Sequence, residues 1–153
     1  MDWKTFVSNS IPEDAETVYE TTAPADNQQL DALQKALALE ALPPELEELY
    51  RQTNGITEVF AGQKIGDLIW SIERVINEYE RQEQTGSNGN ASFDRLFFFA
   101  DAGNGDLFGF GVLEKRFVSD QIYAWNHEDG SITLLAPNLK TFLEGWISGR
   151  IQI

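Results

Sequence analysis

The chain is predicted to be an α+β domain, with N-terminal helices packed on a mainly antiparallel sheet and a C-terminal helix closing it. Apolar residues recur at spacings of three and four before residue 80 and again at the C-terminal end, which is the helical period. Between them lie short aromatic and β-branched runs separated by glycine-bearing turns, the pattern of hairpin-connected strands. All helical signals but the last precede the long run of strands, and that segregation is the mark of an α+β layer structure.

The elements follow in order. Trp3, Phe6 and Val7 have helical spacing, with Asp2 placed as N-cap. Residues 11–25 are polar, contain Pro12 and Pro24, and predict an irregular connection. From Asp26 to about Leu39 the apolar set Leu30, Leu33 and Leu37 predicts a second helix, supported by Ala32, Ala36 and Ala38. Leu42-Pro43-Pro44 ends it and opens a third, whose face is Leu46, Leu49 and Tyr50 and whose stop is Gly55. Strands are expected at Ile56–Phe60 and Ile65–Trp70, joined through Ala61-Gly62-Gln63. Ser71 caps a further helix with the stripe Ile72, Val75, Ile76 and Tyr79, and GSNGN at 86–90 is the expected flexible loop. Strands are then expected at Leu96–Ala100, Leu107–Leu113 and Gln121–Asn126, with Asp129-Gly130 as a tight primed turn into Ile132–Leu135. The last helix starts near Asn138, buries Leu139, Phe142, Leu143 and Trp146, and ends at Gly149. No internal repeat is present, and residues 1–153 are expected to form one domain.

Composition narrows function. Hydrophobic residues at 42% and charged residues at 24% are globular proportions. There is no cysteine, which removes disulfides, thiolate zinc sites and thiol catalysis and suits a reducing compartment. Twenty-five acidic against 11 basic residues give a net charge of −14. Nucleic acids and anionic membranes both demand a basic footprint, so neither is an expected partner. A basic protein is, since opposite charge steers encounter; the plainer alternative is that acidity serves solubility. The first 16 residues, MDWKTFVSNSIPEDAE, lack a basic segment followed by an apolar run. No stretch approaches the roughly 18 apolar residues of a membrane span. The expected location is the cytoplasm.

The segment FFFADAGNGDLFGFGV (97–112) raises the question of chemistry. Asp101, Asn104 and Asp106 carry oxygen ligands of the kind calcium takes. Counted from Asp101, however, an EF-hand would need other residues where Gly103, Asp106 and Val112 stand. A phosphate cradle would need a nearby cation and a helix opening after the glycines, where a strand is predicted instead. The segment is first a hairpin turn, with Gly103 and Gly105 supplying positive φ; a calcium site of another kind than the EF-hand is the minor alternative. His127 is the only histidine and has no second imidazole or thiol with which to complete a zinc site. Trp70, Trp125 and Trp146 fall on faces that need core residues. No metal and no cofactor is expected.

Taken together, LPPELEELYRQTNGI (42–56), DLIWSIERV (67–75), the 97–112 segment, IYAWNHEDG (122–130) and LKTFLEGWISG (139–149) resemble the SUKH superfamily of Smi/Knr-like domains. A family pattern of the form F-a-x-x-x-G-D-x-[FY] is approached by Phe99, Ala100, Gly105, Asp106 and Phe108, with one residue more between Ala100 and Gly105 than the pattern has. The resemblance covers about Gln29 to Gly149 and leaves 1–25 as a variable N-terminal extension. It implies an α+β domain without enzymatic activity, of the bacterial immunity type that binds and neutralises a cognate polymorphic toxin, in many cases a nuclease. The alternative it implies is a regulatory or scaffold module for endogenous partners. Binding residues collect on loops of rigid sheets, which nominates Asp101, Asn104 and Asp106 on one turn and His127, Glu128 and Asp129 on the next. If both turns lie at one end of the sheet they form a joint acidic patch. The competing reading holds Asp106 by backbone N–H groups as a structural cap.

Overall fold

A computed structural model describes the backbone of residues 1–85 and 95–153, with side chains for all of these except 83–85. The loop expected at 86–90 lies outside the described residues. The elements run α1 (Trp3–Ser10), β1 (Thr17–Thr21), α2 (Asn27–Ala36), α3 (Pro44–Gln52), β2 (Ile56–Phe60), β3 (Gln63–Ile69), α4 (Ile72–Thr85), β4 (Leu96–Asp101), β5 (Leu107–Leu113), β6 (Arg116–Trp125), β7 (Ile132–Ala136) and α5 (Leu139–Ser148). The seven strands form one antiparallel sheet in strict sequence order, β1 to β7, each paired with the next. This is the α+β arrangement expected, with α2 and α3 set between β1 and β2 and α4 between β3 and β4.

Caps fix several helix ends. The Asp2 carboxylate accepts from Thr5 N at 3.1 Å, and Asp26 and Gln29 form a reciprocal capping box. Asn138 accepts from Thr141 N at 2.8 Å, and Gly149 ends α5 in the left-handed conformation at φ 86°. Helix α2 stops at Ala36, short of Leu39, because Ala38 turns left-handed at φ 53°.

One face of the sheet packs against α5. Phe108 meets Phe142 and Trp146 at ring-centroid distances of 4.8 and 5.0 Å, and Phe99 stacks obliquely on Phe110 at 4.9 Å. Leu96 through Ala100 are all buried, as a strand covered on both faces must be. Gly109 is needed there: a Cβ at that position would lie 2.7 Å from the Phe97 carbonyl oxygen. Tyr50, fully buried, donates its hydroxyl to the Trp70 carbonyl at 2.8 Å and ties α3 to the β3–α4 junction.

Three expectations need correction. Residues 17–21, read as irregular, are strand β1, paired with β2 from Thr17↔Phe60 to Thr21↔Ile56. Strand β6 begins at Arg116 rather than Gln121, with a register shift that leaves Val118 to Asp120 exposed. The β6–β7 turn is not a two-residue primed turn: Gly130 alone has positive φ, and Asn126 N donates to Ser131 O across a longer loop. That loop is held by side-chain acceptors, Asn126 for Glu128 N at 2.8 Å and Asp129 for Ser131 N at 2.9 Å.

Candidate functional site

The β4–β5 turn forms where two apolar arms pair and polar residues cannot continue the ladder. Ala102 N donates to Asp106 O at 3.0 Å and closes it, while Gly103 and Gly105 take φ of 89° and 104°. Asn104 Oδ1 accepts from Asp106 N at 2.9 Å. Because β5 lies beside β6, this turn and the β6–β7 turn emerge at the same end of the sheet.

They are fastened to each other. Asp106 Oδ1 accepts from His127 N at 3.1 Å and lies 2.5 Å from His127 Nδ1. The imidazole rests on Gly105, where an added Cβ would come within 3.0 Å of the ring. Burial pushes the Asp106 carboxyl up, but the His127 side-chain and main-chain donors, with Asn104, outweigh it and hold it below the usual carboxylate range. Asp106 thus stays ionised, a fixed anion under the histidine. Asp129 is held low by the Ser131 N–H.

Asp101 turns the other way, into a cleft of about 570 Å³ between α4 and the sheet. Its Oδ2 accepts from Trp70 Nε1 at 2.8 Å and from Arg74 at 3.0 Å, and its Oδ1 accepts from Gly103 N at 2.9 Å. The Arg74 guanidinium lies 4.7 Å from the Trp70 ring centroid and also reaches Asp67 Oδ2 at 3.4 Å. Trp125 and His127 complete the wall towards the turns.

The six residues nominated from sequence therefore divide. Asp101 and Asp106 are committed inward, each to several donors. Asn104, His127, Glu128 and Asp129 are exposed at the tips. The residues missed were Trp70, Arg74 and Asp67. Their signal was present, since Trp70 and Arg74 are four apart across a helix start, but it reads equally as an amphipathic helix. Among the described residues no three His, Asp or Glu side chains converge as a metal site requires.

The model of the SMI1/KNR4 family (SUKH-1) matches residues 24–145. The chain belongs to that family. Both turns and the cleft fall within the matched SUKH-1 span, whereas α1 and β1 precede it. They are nonetheless built into the same fold, α1 through Trp3 and Val7 in the core and β1 through its pairing with β2. SUKH domains are commonly immunity proteins that bind cognate toxins, and the family is generally not catalytic. No curated protein matched this SUKH-1 chain. Among the described residues no helix is long and apolar enough to cross a membrane.

Proposed function

We propose that this protein is a non-enzymatic, cytoplasmic immunity protein that binds and neutralises a cognate toxin domain, with the fastened turns at the end of the sheet as its contact region. The observation that carries this reading is the SUKH-1 match across both turns. The net charge of −14 supports it independently. A nuclease-type toxin must grip phosphate and so presents a basic groove, which an acidic protein meets at rates raised about 10–1000-fold by steering.

In this reading Asp101 and Asp106 position the turns, while Asn104, His127, Glu128 and Asp129 meet the partner. A rigid presentation suits the task, because contacts ordered beforehand lose less entropy on binding.

The test is affinity capture of the tagged protein from its native cells at low and high salt, followed by expression of any captured protein alone and together with this one. One dominant basic partner, toxic alone and harmless in the pair, is the expected outcome. Several non-toxic partners would overturn the reading in favour of a scaffold for endogenous proteins.

A further inference from the structure

The sheet has two edges, and they are treated differently. Natural edges are blunted by charge, proline, bulges or cover, because an open edge recruits another strand. β1 carries exposed Glu20 and follows Glu16; the edges differ in charge and not in helix contact, since α1 packs by β1 and α5 by β7. β7, Ile-Thr-Leu-Leu-Ala, has no charged residue and no proline within it, and it pairs on one side alone, with β6.

The sheet face beside β7 is apolar and open. It is the face opposite α5. Gly111 places Val118 and Tyr123 within 3.6 and 3.7 Å of where its Cβ would stand, and Tyr123 lies opposite Leu134 in register. Leu134, on β7 itself, is 52% exposed, and Leu113 and Val118, 66% and 65% exposed, lie farther along the same face at the β5–β6 hairpin, beyond the Ile122–Trp125 stretch that β7 pairs with. Exposed apolar groups collected on one face beside an open edge mark an interaction surface more than scattered ones do.

Charge names the occupant. Asp120 lies in the same stretch of β6 as Val118, and Glu128 and Asp129 lie at the head of β7. None of the three forms an ion pair with a described residue. At the β5–β6 turn the cations are Lys115, next to Glu114, and Arg116, which is bonded to Glu40 at 3.0 Å. The surplus along the strip is negative. A second copy is a poor occupant, since each chain carries −14 and a two-fold interface sets each patch against its own image.

We propose that β7 and the face beside it accept an extended, lysine- or arginine-bearing segment of a partner protein as an added strand. Main-chain hydrogen bonds to the β7 edge supply affinity. Alternate apolar side chains lie beside Leu134 and extend the face that Tyr123 begins, and cations near the two ends of the segment meet Asp120 and the Glu128–Asp129 turn. The proposal rests on the immunity reading only for the partner's charge.

The probe is a short peptide alternating lysine and valine, with its glutamate–valine counterpart, titrated into the isotope-labelled protein. The expected result is amide shifts confined to residues 118–123 and 132–136, absent with the acidic peptide. Leu134→Lys, at an exposed position, should weaken binding at least about tenfold with the melting temperature unchanged. Glu20→Lys at the other edge should leave binding as it is. Shifts at β1, shifts spread over the whole acidic surface, indifference to Leu134→Lys, or a β7-paired homodimer by sedimentation would each overturn the proposal. No toxin enters the experiment, so its failure leaves the neutralisation reading standing, and the failure of that reading leaves the open edge standing.

Discussion

Replacing Asp106 by alanine removes the fastening between the two turns and should be felt in stability before it is felt in binding. The carboxylate is 8% exposed and accepts from both the main chain and the ring of His127. Hydrogen bonds to a charged group contribute about 1.5–3 kcal/mol each. The His127 ring is partly exposed, so water replaces part of its bond, and the expected loss is about 2–3 kcal/mol in total. For a chain of this size that lowers the melting temperature by about 4–12 °C. Asp106→Asn keeps an acceptor and loses the charge, and should cost about 1 kcal/mol. The folded carboxyl sits below its unfolded value near 3.9. Its stabilisation is therefore complete above about pH 4 and fades as pH falls through the folded value. Urea denaturation of the wild type and both variants, at neutral pH and below about pH 4, measures all of this, and the gap between wild type and Asn should close in acid. An alanine variant within about 0.5 kcal/mol of wild type, or a gap that persists in acid, would refute the assigned role of the carboxylate.

Other consequences are open to measurement. Gly55 has φ 106°, and a Cβ there would stand 2.8 Å from the Ile69 carbonyl oxygen; Gly55→Ala should cost at least about 2 kcal/mol in chemical denaturation. Thr53, fully buried, donates to Gly55 O at 2.6 Å and accepts from Thr22 N at 2.8 Å. Thr53→Val should therefore lose about 1–3 kcal/mol, read by the same assay. The combined change Asp120→Asn, Glu128→Gln and Asp129→Asn keeps an acceptor for Ser131 and, since Asp129 is held low by the Ser131 N–H, should lower the melting temperature only slightly. With a captured basic partner it should slow association severalfold and flatten its salt dependence in stopped-flow mixing.

The elements with local causes were legible in the sequence. The Asn138 cap and Gly149 stop mark α5 from one end to the other, and Pro44 starts α3. β1 was hidden because nothing within Thr17–Thr21 alternates: Thr17, Val18, Tyr19 and Thr21 are all half-buried. Its reason to be a strand is the β2 ladder, more than 30 residues away in sequence. The start of β6 was hidden because Val118, Ser119 and Asp120 face solvent across a register shift and carry no strand pattern. At the site, the turn residues could be named from composition, and their shared end of the sheet follows from the meander. The fastening could not be read, because one carboxylate among 25 looks like any other until the register of β5 on β6 puts it under His127. The cleft had the same obscurity, since Arg74 and Asp101 meet only after α4 has folded back across the sheet.

The packing of α1 against α5 has a consequence for synthesis. Each strand can zip onto its predecessor as it emerges, since every pairing joins sequence neighbours. The layer under Trp3 and Phe142, in contrast, cannot close until α5 has left the ribosome. The growing chain therefore carries a partly zipped sheet with one aromatic face unshielded until Phe142 and Trp146 of α5 pack on Phe108. A nonsense codon anywhere within Leu139–Ser148 leaves that face uncovered and the product aggregation-prone.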